Sequence, residues 1–197
     1  EDIEKLTKDM IYISGCDEAG AGVLAGDLVV ASVILNPEKP IFGLTDSKKL
    51  SEKKREAFYE QIIERALDYS IIHIKPAEID KINILQARML GMKKSIEALK
   101  QVEYAIFDGN RVPDGINVAH TGLVKGDLKH SAVSAASILA KVTRDRQIIQ
   151  QAKQYDGYGF EKHKGYGTKI HLEALKNLGP CEIHRYSYKP VRESVTD

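Results

Sequence analysis

The pattern of apolar and polar positions predicts strands and helices in alternation. Apolar residues at adjacent or alternating positions, with many β-branched side chains, are typical of strands. The first two apolar runs are separated by the small residues of 19–26, so we expect them to pair as antiparallel neighbours. Five segments have this strand pattern: 10–17, 27–35, 69–74, 104–108 and 118–124.

The other periodic segments have the spacing of helices. Ser51, Asn83 and Thr168 are suitable N-cap residues, and Gly179-Pro180 is a helix stop. The glycine-rich stretches Gly157–Phe160 and Gly165–Thr168 are predicted loops, and the tail to residue 197 is predicted to be irregular with a mobile end. The predicted helices are 52–67, a short one from Pro76, 83–99, 131–153 and one from 169 to 178.

This order of elements predicts an α/β domain with a mixed sheet flanked by helices. We place the main domain at 1–155 and a small helical C-terminal segment, packed on its edge, at 156–197.

The composition is that of an ordinary soluble globular protein. The chain has 197 residues, 43% of them hydrophobic and 29% charged, with a formal net charge of +1. The chain has two cysteines without a CxxC pair and no apparent leader. It also has no apolar run that approaches the ~20 residues of a membrane helix. We therefore expect a cytoplasmic protein without a membrane segment. A monomer is the default expectation.

Charge is distributed unevenly along the chain. From Lys153 to Arg192 there are eight Lys or Arg residues against four Asp or Glu residues. A basic last fifth is compatible with a partner that carries phosphates, although the net charge alone does not indicate one.

The glycine-rich turn after the first strand matches a dinucleotide-binding pattern. Gly20–Ala25 fits G-x-G-x-x-A, but that fingerprint requires a helix to begin at the glycines. Here a strand follows, and Asp17 and Glu18 stand where a pyrophosphate would lie. We therefore do not expect a nucleotide-binding protein.

Three acidic residues lie at the predicted ends of two strands. Asp17 closes the first strand, Glu18 comes directly after it and Asp108 closes the fourth, so their side chains meet if those strands are neighbours. Adjacent strand residues face opposite ways, so Asp17 and Glu18 share one site only if the backbone bends there. Three carboxylates suit Mg²⁺ or Mn²⁺ rather than zinc. The alternative is a set of solvated acids at strand ends.

Further polar groups have two interpretations each. Asp127 is either another metal ligand or a favourable charge near a helix N-terminus. Asp145 lies on the apolar stripe of the 131–153 helix, where a buried partner of Lys or Arg is favoured over a ligand. The segment His163–His171 is either a polar loop or a contact surface for sugar and phosphate.

Seven motifs, in order along the chain, resemble the type 2 ribonuclease H family, and within it bacterial ribonuclease HII. They span about Tyr12 to Val191, and their combination is far more specific than any one of them. They are Asp17-Glu-Ala-Gly, Asp46-Ser-Lys-Lys-Leu-Ser51, Ile82-Asn-Ile-Leu85, Phe107-Asp-Gly-Asn110, Val124-Lys-Gly-Asp127, the run from Ser134 to Asp145, and His163-Lys-Gly-Tyr166.

The resemblance implies a ribonuclease H-like fold and an Mg²⁺- or Mn²⁺-dependent endonuclease. Such an enzyme cuts the RNA strand of RNA–DNA hybrids and nicks a DNA duplex 5′ to an embedded ribonucleotide, by two-metal-ion hydrolysis that leaves 3′-hydroxyl and 5′-phosphate ends. The implied metal-site and catalytic residues are Asp17, Glu18, Asp108 and Asp127. The implied substrate-binding residues are Gly20, Ala21, Gly22, Lys48, Asn110, Lys164 and Tyr166, the tyrosine stacking at the RNA–DNA junction.

One position departs from the family pattern. The family loop reads Gly-Arg-Gly, and this chain has Gly20-Ala21-Gly22. Loss of the guanidinium removes a bidentate phosphate contact but leaves the main-chain groups of the loop. The alternative function is therefore a protein that binds hybrids and has weakened or lost cleavage, although the four acids are retained.

Overall fold

The protein is built on a five-stranded mixed sheet. The computed structural model describes residues 2–45 and 50–195. The strands are β1 (Ile13–Ala19), β2 (Leu28–Ile34), β3 (Asp68–Ile74), β4 (Tyr104–Asp108) and β5 (Ala119–Leu123). Their order in the sheet is β3-β2-β1-β4-β5. The pairs β1–β2 and β2–β3 are antiparallel, and the pairs β1–β4 and β4–β5 are parallel. The predicted mixed sheet and the antiparallel first pair are confirmed.

Helices lie on both faces of this sheet. Within the described residues they are α1 (Ile3–Leu6), α2 (Glu52–Arg65), α3 (Pro76–Ile82), α4 (Ile84–Glu97), α5 (Gly126–Lys129), α6 (Ser131–Gln154), α7 (Phe160–His163), α8 (Lys169–Leu178) and α9 (Lys189–Ser194). The three predicted N-caps are confirmed, because side-chain oxygens of Ser51, Asn83 and Thr168 accept hydrogen bonds from backbone N–H groups three residues later. Among these residues no helix is long and apolar enough to cross a membrane.

Alternate residues of the strands fill two separate cores. In β2, Leu28 and Val30 pack with α3 and α4, whereas Val29 and Ala31 pack with α2 and α6. The long helix α6 approaches β1 so closely that a Cβ on Gly15 would lie 2.1 Å from the Ala132 carbonyl carbon. This contact fixes α6 next to the end of β1 that carries Asp17.

Two predictions about element ends are wrong. β1 does not end at Asp17, because its ladder with β2 continues through Glu18 and Ala19, and the chain turns only at Gly20, where φ is +88°. The tail is not irregular throughout, since it contains α9, where Pro190 fits the first turn and Val191 is buried. The end predicted to be mobile, Thr196 and Asp197, lies outside the described residues.

The C-terminal segment is joined to the turn between β1 and β2. Ala25 and His184 form an isolated antiparallel bridge, and the N–H of Leu24 donates to the carbonyl of Gly165 at 2.8 Å. These bonds hold residues 165–185 over the small-residue turn that follows Asp17 and Glu18.

Candidate active site at the ends of β1 and β4

Asp17 and Asp108 lie side by side because β1 and β4 are parallel neighbours. Cys16 is opposite Phe107 in the ladder, which places Asp17 and Asp108 at the next position of each strand. The sequence-based expectation that these two strand positions meet is therefore confirmed.

Asp17 is a buried carboxylate among other acids. Its side chain is almost fully buried, and its Oδ1 accepts a hydrogen bond from the N–H of Glu18 at 2.8 Å. Burial raises the pKa of Asp17 well above its ordinary value, and the negative charges of Glu18 and Asp108 raise it further. A carboxylate in this setting favours a cation as its partner.

Asp127 approaches Asp108 from the loop after β5. It lies in the first turn of α5, and its N–H donates to Asp108 Oδ1 at 3.3 Å. Burial raises the pKa of Asp108, and the charges of Asp127 and Glu18 add to the shift against the opposing backbone hydrogen bonds. The four predicted acids, Asp17, Glu18, Asp108 and Asp127, thus interact electrostatically across one end of the sheet.

The backbone does not bend at Asp17 and Glu18. Both residues remain in the regular ladder, opposite Ala31 and Val30, and the turn comes at Gly20 instead. Glu18 contacts α4 on one face of the sheet, where Arg88 Nε donates to its Oε1. The negative charge of Glu18 nevertheless acts on both Asp17 and Asp108.

The oxygen atoms of this site fit a hard divalent cation. Glu18 Oε2 is buried and has no hydrogen-bond partner in the described part of the protein, which is costly unless something else neutralises it. Four carboxylates without His or Cys are the donors that Mg²⁺ and Mn²⁺ prefer. In residues 2–45 and 50–195, no three acidic, His or Cys side chains are already arranged as a ligand set. Like charges repel one another, so a shift of these side chains is required to surround a cation.

A cavity of about 240 Å³ adjoins Glu18. The predicted substrate residues Gly20 and Tyr166 both line it. The ring of Tyr166 is 47% exposed, and Lys141 Nζ lies 5.9 Å from its centre. The remaining lining residues are Ala19, Ser137, Lys141 and Arg144.

The C-terminal segment, 156–197, holds the backbone of the glycine loop, Gly20–Gly22, in place. The carbonyl of Ala21 accepts hydrogen bonds from Arg185 Nη1 at 3.1 Å and from the Tyr188 hydroxyl at 2.7 Å. Gly22 is exposed, and a Cβ there would meet no described atom within 4 Å. The backbone of this loop is therefore held at Ala21, while Gly22 is open to solvent.

The other predicted substrate residues lie in three different settings. Asn110 is exposed, two residues after Asp108. Lys164 lines no part of the cavity next to Glu18; its Nζ donates to the carbonyl of Glu161, and its own carbonyl accepts from Arg144 at 2.7 Å. Lys48 lies outside the described residues. Asp145 contacts Lys141 at 3.3 Å, which agrees with a structural role.

Sequence reasoning missed several basic residues around the site. Arg144 is buried and donates to the carbonyls of Ala25 and Asp27, and Arg185 is buried beneath the loop. A lone arginine at a buried position of an apolar helix stripe is a usable signal for Arg144. Nothing in the local pattern of α4 points to Arg88 as the partner of Glu18.

Comparison with known proteins assigns the family. The family model described as ribonuclease HII matches residues 14–191. The chain belongs to the ribonuclease HII family. Ribonuclease HII of Marinomonas sp. (strain MWYL1) is 54% identical over 182 residues, which are 92% of each chain. The matched range contains all of the predicted site residues, and the chain is accordingly an endoribonuclease of the ribonuclease H type.

Solved structures show the same fold. The crystal structure of ribonuclease H2 from Pyrococcus horikoshii OT3 is 28% identical, with a TM-score of 0.74 over 92% of this chain and 96% of that one. The structure of Bst ribonuclease HIII in complex with Mn²⁺ has a TM-score of 0.76, covering 99% of this chain and 73% of that one, at 16% identity. The predicted ribonuclease H-like fold is confirmed.

Proposed function

We propose that this ribonuclease HII nicks DNA duplexes 5′ to embedded ribonucleotides and cuts the RNA strand of RNA–DNA hybrids. The observation that carries this proposal is the meeting of Asp17, Glu18, Asp108 and Asp127 at one end of the sheet, next to a cavity that has Tyr166 on its wall.

Asp17, Glu18, Asp108 and Asp127 are the residues that would hold Mg²⁺ or Mn²⁺. When bound, such ions activate a water molecule and stabilise the leaving 3′-oxygen of a phosphodiester. A Mn²⁺ complex of a protein with the same fold is consistent with this choice of ion. The pKa values of Asp17 and Asp108 are raised, so we expect cation binding to release protons from these carboxyl groups when the pH is near those raised pKa values.

The residues around the cavity recognise the substrate. The main-chain groups of Gly20–Gly22, fixed by Arg185 and Tyr188, lie beside the ribonucleotide and read its backbone. Tyr166 stacks on the sugar or base at the RNA–DNA junction, where a 2′-hydroxyl distinguishes RNA from DNA. We place Asn110 at the Asp108 end of the site, with Lys48 and Lys164 as further contacts.

The direct test is a duplex with a single internal ribonucleotide, incubated with Mg²⁺ or Mn²⁺. The expected product is one nick 5′ to the ribonucleotide with 3′-hydroxyl and 5′-phosphate ends. An all-DNA duplex is the matched control and stays intact. Binding without a nick in either metal would support the alternative function, a hybrid-binding protein that has lost cleavage.

A further inference from the structure

Arg88 is a basic residue placed directly beside the acidic site. It lies in the second turn of α4, and its Nε donates to Glu18 Oε1. The Arg88 side chain is 28% exposed, whereas that of Glu18 is 9% exposed. The guanidinium therefore spans from a buried carboxylate to solvent.

The outer part of this guanidinium is free. An arginine side chain has five N–H donors, and the contact with Glu18 uses the Nε donor. Neither Nη nitrogen of Arg88 forms a hydrogen bond with any residue that the structure describes. Two parallel N–H groups at the edge of a site are the arrangement that binds a phosphate in a bidentate way.

The two basic residues that line the cavity next to Glu18 already have partners. Arg144 donates to three backbone carbonyls, and Lys141 contacts Asp145 at 3.3 Å. Ala21 contributes no charge to the exposed loop. Beside the divalent cations that the carboxylates would hold, a free guanidinium further lowers the repulsion between these acids and an approaching phosphodiester.

α4 and the glycine loop share one face of the sheet. Ala87, the neighbour of Arg88, belongs to the apolar cluster against which Ala21 packs. Arg88 therefore contacts Glu18 on the face of the sheet against which the side chain of Ala21 packs.

We propose that Arg88 is a phosphate clamp of this enzyme, with its Nε bound to Glu18 and its Nη groups bound to a phosphate of the ribonucleotide-containing strand. This rests on the proposed function, because it takes that strand as the ligand of the acidic site. Glu18 fixes the guanidinium plane, so little side-chain freedom is lost when the phosphate binds.

The test measures binding separately from cleavage. Wild type, Arg88→Ala and Arg88→Lys are titrated with the single-ribonucleotide duplex in Ca²⁺ at several salt concentrations, and a gel verifies that the duplex stays intact. Arg88→Ala is expected to weaken binding about 10-fold or more and to lower the slope of log Kd against log salt by about one. Arg88→Lys keeps the charge but loses the bidentate edge, so an intermediate loss of affinity with the slope retained is expected.

Lys94→Ala is the matched control. Lys94 is an exposed cation near the end of the same helix, and its loss should change affinity less than about 2-fold because solvent and salt screen it. A second measurement is the Mn²⁺ affinity without nucleic acid, followed by electron paramagnetic resonance. We expect Arg88→Ala to stay within about 3-fold of wild type. A larger change is expected if Arg88 only orients the carboxylate of Glu18.

Two results would overturn the proposal. One is duplex affinity and salt slope in Arg88→Ala equal to those of Lys94→Ala. The other is a loss of Mn²⁺ affinity as large as the loss of duplex affinity. If Arg88→Ala does not fold, full duplex affinity in Arg88→Lys would contradict bidentate binding. The nicking assay in Mg²⁺ or Mn²⁺ tests the proposed function separately. Failure of the wild type to nick in that assay would refute the proposed function rather than the role of Arg88.

Discussion

At the scale of single residues, the site contains buried charged groups whose cost the described residues offset only in part. Asp17 is buried among like charges. Glu18 Oε1 accepts a hydrogen bond from Arg88, whereas Glu18 Oε2 is buried without a partner among the described residues. Such groups destabilise a protein unless a ligand uses them. We therefore interpret them as functional groups rather than as parts of the core.

Ala21 gives the glycine loop no charged side chain with which to bind a phosphate. Its carbonyl is fixed by Arg185 and Tyr188, while its side chain packs partly buried on the α4 side. The backbone geometry of the loop therefore does not depend on the side chain at residue 21.

Ala21→Arg is expected to tighten binding of an RNA–DNA junction duplex. A guanidinium at residue 21 adds a charge-assisted contact, so we expect about 3- to 10-fold tighter binding and a salt slope steeper by about one. Fluorescence anisotropy at several salt concentrations measures both. No gain in either quantity would show that another group, such as Arg88, already neutralises that phosphate.

At the scale of elements, the turn between β1 and β2 depends on the C-terminal segment. Arg185 is fully buried and donates to the carbonyls of Ala21, Val23 and Gly26. The backbone of 20–26 forms no regular ladder with a strand, so these side-chain bonds take the place of the ladder. Arg185 thereby holds in place the turn that follows the candidate acids Asp17 and Glu18.

Arg185→Ala is expected to lower the free energy of unfolding by about 3 kcal/mol or more, because it leaves the buried carbonyls of Val23 and Gly26 without their donor. Urea denaturation measures this loss. Arg192→Ala is the control, since Arg192 is exposed and its guanidinium donates to the carbonyl of Ser187. In folded Arg185→Ala, KM for the ribonucleotide duplex should rise more than kcat falls; equal stability of the two variants would contradict this account.

At the scale of the whole molecule, the sequence predicted the elements whose local pattern is typical of a single kind of secondary structure. Period-2 apolar runs and N-cap residues identified the strands and long helices. The acidic strand ends predicted a shared site only on the condition that β1 and β4 are neighbours, and the structure supplies that pairing. The contact between Glu18 and Arg88 joins residues 70 positions apart, and nothing in either segment predicts it. The helix α9 was missed because its stability comes from burial of Val191 against Leu24 and Leu175, a tertiary effect.

The division between a main domain, 1–155, and a C-terminal segment, 156–197, stays a prediction. The hydrogen bonds from Arg144 and Arg185 across that boundary indicate that the two parts work together.

The central claim is that the acids brought together by β1, β4 and α5 carry out the hydrolysis. Asp108→Asn tests it most directly, because this change removes one charge and keeps the size of the side chain and its place beside Asp17 and Asp127. The measurement is cleavage of the single-ribonucleotide duplex in Mg²⁺ or Mn²⁺, together with the affinity for the same duplex. We predict a loss of cleavage by at least about 10³-fold with affinity within about 3-fold of wild type. Cleavage by Asp108→Asn at the wild-type rate would contradict the account.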